Sequence, residues 1–367
     1  MDRPLGTYRT QKDLKLSPFQ VRFRSVRVLV SIVNYRTASL VVDCLRSLAP
    51  EVARASQLDV VVVDNESGDN SVETLAAAIQ SEGWSSWARV QASGHNGGFS
   101  FGNNIAIRDA LASASPPDYV LLLNPDTRVR ENAIEELVKF MEADPKVGLA
   151  GSRLEDPDGT QQHSLFRFFT LRGELEAGAR LGLISRFCQE QIVVYPLDTS
   201  LEEAEPYEIE WPAGASMLIR REVFEDVGLM DEDYFLYFEE TDFCLAAHRS
   251  GWTSWYVPKS RVIHLVGQAT GVTSDCISTR RMPRYWFESR RRFFTKNHGL
   301  LYALMADVAA IVGYSLYQWK RTFLRRPNID PQRFVRDMIA YNLNPAPRDT
   351  PRFTAVSKER EEQRRAA

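Results

Sequence analysis

Three short, mostly apolar and β-branched runs constrain the fold of this 367-residue chain more than any other feature. They cover residues 26–33, 60–63 and 120–123, and amphipathic patterns with helical spacing follow the first two, at residues 40–48 and 72–79. Short continuous apolar runs are typical of strands that are buried on both faces. Such strands alternating with helices predict an α/β fold with a doubly wound, mostly parallel sheet.

Each apolar run ends in polar residues. In doubly wound sheets, ligands bind beyond the carboxyl ends of the strands. Asp64 follows four valines, and its carboxylate can accept hydrogen bonds from a base or a ribose, although an Asx turn or a helix N-cap explains it as well. The candidate ligand-binding residues at these strand ends are Asn34, Tyr35, Asp64, Asn65 and Asn124.

A carboxylate that directly follows a buried strand can hold a divalent cation between two phosphates. Asp126 has this place in the sequence Asn124-Pro125-Asp126, after the run at residues 120–123. The cation neutralises charge that develops on a diphosphate leaving group. The alternative is a turn in which Asp126 caps a helix that begins near Glu131.

Residues 94–104 combine glycines with asparagines at the start of a helical pattern. Glycine lets backbone N–H groups come close to a phosphate or a ribose. The spacing differs from the dinucleotide-binding fingerprint, and no glycine-rich turn follows the first apolar run. Asn96 and Gly98 are the candidate ligand-binding residues of this segment.

Three acidic residues, Glu239, Glu240 and Asp242, lie within four positions and are flanked by aromatic residues. An attacking hydroxyl group needs a base such as a carboxylate to take its proton. Neighbouring acids also raise one another's pKa unless a cation or hydrogen bonds relieve the repulsion. Acids are favoured at any helix N-terminus by the helix dipole, so a catalytic and a structural interpretation both stay open.

Charge is distributed unevenly along the chain. The net charge is −3, yet residues 280–326 contain eleven Lys and Arg against only Glu288 and Asp307. This segment predicts an anionic partner, either a membrane surface or a polyphosphate, unless it is simply a solvated helical face. We expect no nucleic-acid partner.

The cysteines and the amino-terminal residues bear on the compartment. The four cysteines form no C-x-x-C pair, which disfavours a disulfide framework or a zinc site and favours a reducing compartment. The first 27 residues are polar and basic without an apolar segment, so we expect no signal peptide. The predicted location is therefore the cytoplasm.

Taken together, these segments resemble the family 2 glycosyltransferases, which have the GT-A fold, and among them the bacterial rhamnosyltransferase-like enzymes. The resemblance covers about residues 27–298. It rests on the order and spacing of Val30-Ser31-Ile32-Val33-Asn34-Tyr35, Val62-Val63-Asp64-Asn65-Glu66-Ser67, Asn96-Gly97-Gly98-Phe99, Asn124-Pro125-Asp126, Gly214-Ala215 and Phe238-Glu239-Glu240-Thr241-Asp242.

The resemblance implies that a sugar is transferred from a nucleotide diphosphate donor with inversion at the anomeric carbon. One candidate donor is dTDP-L-rhamnose. The implied acceptor is polyprenyl-diphosphate-linked or a glycan, in cell-wall or surface-glycan assembly. The implied cofactor is a divalent cation, Mg²⁺ or Mn²⁺. Two other functions stay open, namely a nucleotidyltransferase and a nucleotide-sugar-binding scaffold without catalysis.

The resemblance also implies roles for single residues. Glu240 is the general base, and Glu239 and Asp242 are supporting acids. Asp126 is a metal ligand, and His264 supplies either a metal ligand or a contact with the diphosphate. The implied donor-binding residues are Asn34, Tyr35, Asp64, Asn65, Asn96, Gly98 and Asn124, and the implied acceptor-binding residues are Trp211 and Gly214.

The chain departs from the family pattern at three of these places. Asn124 replaces the first acid of the D-x-D element, so the metal is expected to bind weakly or Asn124 to contact the ribose. Glu240 is one methylene longer than the aspartate of many relatives. Ala246 replaces an arginine that is common after the acid cluster.

Residues 300–319 are apolar except for Asp307, Ser315 and Gln318. About 20 residues can span a bilayer, but an aspartate at the centre of a spanning helix costs about 2.5–3.5 kcal/mol. We therefore predict a helix that lies in the membrane surface, with the arginines at 290–292 and Lys320-Arg321 as basic anchors. A core helix or a contact in a homodimer is the alternative.

The predicted organisation has four parts. A basic arm (1–26) precedes a GT-A domain (27–270), and a basic helical region near the membrane and the acceptor (271–342) precedes a disordered tail (343–367). The protein is predicted to be peripheral on the inner face of the cell membrane.

Overall fold

The structure is a computed structural model that describes residues 10, 26–54, 57–182, 188, 191–195, 205–265, 281–325, 328 and 330–343. The predicted basic arm lies outside these residues except for Thr10 and Val26, and so does the predicted disordered tail except for Leu343. The proposed domain boundaries stay predictions.

Strands and helices alternate through the first half of the chain, as the sequence predicts. The strands are β1 (Val28–Asn34), β2 (Leu58–Asp64), β3 (Ala88–Ala92), β4 (Tyr119–Leu123), β5 (Thr127–Val129), β6 (Val147–Glu155), β7 (Leu165–Phe166), β8 (Tyr207–Ile209), β9 (Trp211–Pro212), β10 (Ser216–Arg220) and β11 (Thr253–His264). The helices are α1 (Ala38–Arg54), α2 (Ser71–Ser81), α3 (Gly98–Leu111), α4 (Ala133–Ala143), α5 (Leu171–Ala179), α6 (Arg221–Val227), α7 (Glu239–Arg249), α8 (Arg284–His298), α9 (Leu300–Phe323) and α10 (Phe334–Leu343).

One large sheet has the strand order β3-β2-β1-β4-β10-β6-β11-β5, with β8 also paired to β11. The strands β3, β2, β1 and β4 are parallel, as are β6 and β11. β10 runs antiparallel between β4 and β6, and β5 and β8 run antiparallel to β11. Of the nine strands described in this sheet, six thus run in one direction, which confirms the predicted α/β fold with a mostly parallel sheet.

Helices cover both faces of the sheet. In β1 and β2, Val30 and Val62 face a core that contains residues of α1, α2 and α4. Leu29 and Val63 face a second core that contains residues of α3, α6 and α7. Because both faces are buried, the strands are continuous apolar runs rather than alternating ones.

The apolar helix α9 packs closely against α5 at two glycines. A β-carbon on Gly313 would lie 2.5 Å from the carbonyl oxygen of Leu175. A β-carbon on Gly178 would lie 2.7 Å from the backbone nitrogen of Tyr314. Glycine at both positions therefore lets the two helix backbones approach each other, and α9 is seated on the protein along one face.

A buried ion cluster joins α5, α8 and α9. The guanidinium of Arg290, which is 3% exposed, donates a 2.6 Å hydrogen bond to Glu174 and another hydrogen bond to Asp307. Arg291 lies 3.5 Å from the second carboxylate oxygen of Asp307. Buried charges are tolerated only when they are paired in this way.

The prediction that the arginines at 290–292 anchor the protein to a membrane is therefore wrong. All three bind carboxylates of the protein, since Arg292 pairs with Asp231 and Asp233. α9 is long and apolar enough to cross a membrane, yet Asp307 lies on its buried face. The charge of Asp307 is thus neutralised inside the protein, and it does not decide how α9 meets a membrane.

We predict that Arg290→Gln lowers the free energy of unfolding by about 3–5 kcal/mol, because Glu174 and Asp307 stay buried without their partner. Urea unfolding followed by circular dichroism measures the change. The control is Arg284→Gln on the same helix, whose partner Glu288 is exposed, and it should cost about 1 kcal/mol or less. Equal losses in the two variants would contradict the stabilising role of the buried cluster.

Candidate active site

The candidate site lies at the carboxyl ends of β1, β2, β4 and β11. Asn34 and Asp64 are register partners on β1 and β2, and the amide of Asn34 donates a 2.7 Å hydrogen bond to the Asp64 carboxylate. The hydroxyl and the backbone N–H of Ser67 donate to the same carboxylate. Tyr35, by contrast, is 38% exposed beside the guanidinium of Arg36. Asn34 and Asp64 thus lie side by side at the strand ends, as the sequence predicts, and Asn34 serves mainly to hold Asp64 in position.

The amides of Asn65 and Asn96 shape the glycine-rich segment. The Asn65 side chain donates to the Asn96 side-chain oxygen (2.9 Å) and to the carbonyl of Gly98 (3.0 Å). The Asn96 oxygen also accepts the backbone N–H of Gly98 (3.2 Å). This arrangement ties the end of β2 to the start of α3.

Gly98 is in contact with the loop that precedes α7. Its φ is +84°, and a β-carbon there would lie 1.9 Å from the carbonyl oxygen of Phe235. The same carbonyl accepts a 3.0 Å hydrogen bond from the backbone N–H of Phe99. Only glycine fits such a conformation and contact, so this residue joins the donor-side segment to the acid cluster.

Asp126 and His264 come together from different parts of the chain. The antiparallel pairing of β11 with β5 places His264 opposite Thr127, and the imidazole Nε2 lies 3.5 Å from the Asp126 carboxylate and 3.5 Å from the Asn124 amide. His264 is 15% exposed and Asp126 is 2% exposed. The two residues that the sequence predicts to share a site are therefore close together in the structure.

A divalent cation fits this donor set. The Asp126 carboxylate suits Mg²⁺ and Mn²⁺, and the imidazole Nε2 of His264 is a ligand atom of the kind that transition-metal ions accept. Within the described ranges, no group of three or more acidic, histidine or cysteine side chains converges on one point. A cation at Asp126 and His264 must therefore complete its coordination with water and phosphate oxygens, as Mg²⁺ usually does.

The acid pair begins α7. Tyr237 and Phe238 have φ values of +70° and +68°, a conformation that non-glycine residues adopt rarely and at a cost. This turn brings Glu239 and Glu240 into the first turn of the helix. The carboxylate of Glu240 lies against Gly214, where a β-carbon would be 3.6 Å from its Oε1. Gly214 thus leaves room for the candidate base.

Burial raises the pKa of both glutamates. The pKa of Glu239 rises the further of the two, because the charge of Glu240 adds to the effect of burial, whereas hydrogen bonds from Glu239 and from the Gly214 backbone oppose the rise at Glu240. Among the described residues, Oε2 of each glutamate has no hydrogen-bond partner. Because the pKa of Glu239 is raised more strongly, a proton shared by the pair is favoured on Glu239, and Glu240 is then the member that can act as a base.

Asp242 faces away from this pair. Its carboxylate accepts hydrogen bonds from Lys296 (2.6 Å) and Asn297 (2.6 Å), both on α8, and from the hydroxyl of Tyr234 (3.2 Å). Asp242 therefore braces α7 against α8. This is the structural interpretation that the sequence left open for the acid cluster.

Trp211 is 7% exposed, and its indole N–H donates to the carbonyl of Arg167 (3.0 Å). Its ring stacks on Phe166 at 4.4 Å. The indole is thus packed into the second core, and its role in acceptor binding stays a prediction.

An aromatic group next to the acids was not predicted from the sequence. Tyr237 stacks on Tyr285 of α8, with ring centroids 6.1 Å apart, and Tyr285 also contacts Phe235 at 5.3 Å. Burial, followed by the charges of Tyr285 and the two glutamates, raises the pKa of Tyr237 to about 12. The Tyr237 hydroxyl therefore lies within electrostatic range of the acid pair. The clustered aromatics at 234–238 and 285–287 were the available signal.

The fold and this site together match one class of protein. The model of glycosyl transferase family 2 matches residues 28–228, more than half of the chain. The chain belongs to this family. The predicted family and the predicted inverting glycosyltransferase activity are thereby confirmed, and the nucleotidyltransferase alternative is wrong. The match ends before Glu239 and Glu240, so the roles of these acids stay predictions.

Two curated relatives are rhamnosyltransferases by name. The N-acetylglucosaminyl-diphospho-decaprenol L-rhamnosyltransferase of Mycobacterium tuberculosis is 29% identical over 231 residues, which are 60% of this chain and 70% of that protein. The dTDP-rhamnosyl transferase RfbF of Shigella flexneri is 24% identical over 242 residues, which are 65% of this chain and 71% of that one.

A solved structure shares the fold. The mannosyltransferase PcManGT from Pyrobaculum calidifontis, in complex with GDP-Man and Mn²⁺, superposes with a TM-score of 0.55 at 15% identity. The likeness covers 85% of this chain and 78% of that one. It agrees with the predicted GT-A-type fold.

We predict that Glu240→Gln lowers turnover by about two to four orders of magnitude, because the acceptor hydroxyl loses its base. Glu239→Gln is the matched control, because an amide resembles the protonated acid, and it should retain turnover within about tenfold of wild type. Initial rates of sugar transfer measure both, and nucleotide binding checks that each variant is folded. A more severe loss in Glu239→Gln than in Glu240→Gln would assign the base to Glu239.

Proposed function

We propose that the chain transfers a sugar from a nucleotide diphosphate donor to a lipid-linked or polysaccharide acceptor in cell-wall or surface-glycan assembly. L-rhamnose is the proposed sugar, in line with the names of the two relatives. The observation that carries the proposal is the Glu239–Glu240 pair, in which each side chain has a buried carboxylate oxygen without a hydrogen-bond partner among the described residues. The pair lies beside Gly214, in a fold that brings Asp126 and His264 together at the carboxyl ends of β4 and β11.

The donor is proposed to bind along the ends of β1, β2 and β4. The exposed ring of Tyr35 is suited to stack on the base, and Asp64 is held in position to accept hydrogen bonds from the base or the ribose. Asn65, Asn96 and Gly98 line the cleft next to them.

Asp126 and His264 are proposed to hold Mg²⁺ or Mn²⁺, with Asn124 beside them. When bound, the cation neutralises the charge of the nucleotide diphosphate as it leaves. The mannosyltransferase of similar fold was solved in complex with GDP-Man and Mn²⁺, which supports a divalent cation in this chain as well.

Glu240 is proposed to take the proton from the acceptor hydroxyl as its oxygen bonds to the anomeric carbon. The bond from that carbon to the diphosphate oxygen breaks, and its electron pair leaves with the nucleoside diphosphate. Because the base and the leaving group stand on opposite sides of the sugar, the anomeric configuration inverts. Glu239 is proposed to hold the proton of the pair, which leaves Glu240 as the base. The rings of Tyr237 and Tyr285, which stack on each other, are proposed to contact the acceptor sugar.

The protein is proposed to work in the cytoplasm at the inner face of the membrane, where a lipid-linked acceptor is available. The acceptor in the name of the mycobacterial relative, N-acetylglucosaminyl-diphospho-decaprenol, supports this location.

The test is transfer from a panel of nucleotide sugars, dTDP-L-rhamnose among them, to a short alkyl-diphosphate-linked glycan. We expect product only when donor, acceptor and Mg²⁺ or Mn²⁺ are all present, with inverted configuration by NMR. Binding of every donor without transfer to any acceptor would contradict the proposal and favour a binding scaffold.

Asp126→Ala tests the metal in the same assay. Calorimetry should show weaker nucleoside diphosphate binding in Mn²⁺ but little change in chelator, because the carboxylate acts through the cation. Asp158→Ala, at an exposed turn, is the control. An equal loss with and without metal would leave Asp126 with a structural role only.

A further inference from the structure

The outward face of α9 is a continuous apolar stripe. Its side chains recur every three or four residues, which places them on one side of the helix. Trp319 and Phe323 at its end are 73% and 77% exposed. The members of this apolar stripe are Leu301, Leu304, Met305, Val308, Val312, Leu316, Trp319 and Phe323. A stripe of this length on the surface marks a binding face.

A cavity of about 360 Å³ borders this stripe, between α9 and α10, well apart in the sequence from the acid pair. It is lined by Gln318, Arg333, Val335, Arg336 and Ile339. Gln318 directly precedes Trp319 on α9. The cavity is thus a concave, basic continuation of the apolar stripe, which we call the arginine cavity.

The two arginines of this cavity differ from Arg281 and from the arginines at 290–292 in having no acidic partner within the described part of the chain. Arg281 binds Asp337, and the arginines at 290–292 bind the acids described above. Arg333 and Arg336 have no carboxylate partner among the residues that the structure describes, and both are exposed. Phe334 and Met338 hold α10 against the protein. The cavity therefore presents two positive charges on a fixed support.

We propose that the apolar stripe and the arginine cavity bind the surface of a bilayer that contains anionic phospholipid. The stripe lies among the upper acyl chains, and Arg333 and Arg336 bind lipid phosphates, as arginine does in a basic interfacial helix. This inference rests on the proposed lipid-linked acceptor, because such a surface brings the site to its substrate.

Two observations favour a lipid surface over a second copy of the chain or a spanning helix. A symmetric dimer buries the same patch on both copies, so it would bring four arginines together without a compensating acid at the cavity. Lipid phosphates instead supply the opposite charge. A spanning helix is incompatible with the buried face of α9, which contacts α5 at Gly313 and Arg290 through Asp307.

The test is flotation of the full chain with vesicles of phosphatidylcholine, with or without phosphatidylglycerol. We expect binding that rises with phosphatidylglycerol and falls with salt. Arg333→Gln with Arg336→Gln should weaken it on the order of tenfold or more, because each surface arginine contributes roughly fivefold. Trp319→Ser with Phe323→Ser should weaken binding to a similar extent.

Arg89→Gln with Lys146→Gln is the matched control, because it removes two positive charges from other exposed elements. It should leave flotation within about twofold of wild type. Arg333→Lys with Arg336→Lys should retain most binding, which separates charge from folding. Unchanged melting temperatures confirm that the variants are folded.

Three results would overturn the inference. The first is the absence of flotation together with a dimer that Trp319→Ser dissociates. The second is an equal loss of vesicle binding in the arginine variant and in its control. The third is competition by inorganic phosphate, which would indicate a site for a soluble anion. Transfer to a water-soluble acceptor separates this inference from the proposed function, since the arginine variant should keep that activity. If the protein floats with vesicles as expected but transfers no sugar, the lipid-binding surface is supported and the proposed function is rejected.

Discussion

The position of the proposed catalytic acids depends on the loop at residues 231–238, which is fixed from two sides. On the donor side, the carbonyl of Phe235 accepts the N–H of Phe99 and lies where only Gly98 fits. On the other side, Ser289 of α8 donates to the carbonyl of Leu236. The left-handed backbone at Tyr237 and Phe238 is an unfavourable conformation that such contacts can maintain. The loop then delivers Glu239 and Glu240 to the cleft.

The C-terminal helices are joined by ion pairs and hydrogen bonds to the elements that carry the acid pair. Lys296 bridges Asp231 at the start of the loop and Asp242 after it, at 2.7 and 2.6 Å. The Arg290 cluster in turn fixes α8 to α5 and α9. The helix that carries the proposed membrane surface thus connects through packed elements to the helix that braces the acids. The proposed catalytic acids and the proposed membrane surface are thus supported by one set of packed helices.

Much of the site could be predicted because it depends on local sequence. The apolar runs fix β1, β2 and β4, and the residues after them must meet at one edge, so Asp64 and Asp126 were correctly located. The direction of β10 could not be predicted, because apolar periodicity carries no information on strand direction. The partners of Arg290 and Asp242 were missed because Glu174 and Lys296 are distant in sequence. A charge pattern shows how many cations a segment has, but not which of them are neutralised inside the fold.

The most direct test of this account is the effect of Lys296→Met on turnover and on nucleotide binding, measured in parallel. If α8 positions the acid pair through Asp231 and Asp242, turnover should fall on the order of 10²-fold, as for a small displacement of a catalytic group. The Kd for the nucleoside diphosphate should stay within about twofold, because Lys296 contacts none of the proposed donor-binding residues, all of which the structure describes. Unchanged turnover in a folded Lys296→Met protein, or a parallel loss of both quantities, would contradict the claim that α8 holds the catalytic acids in place.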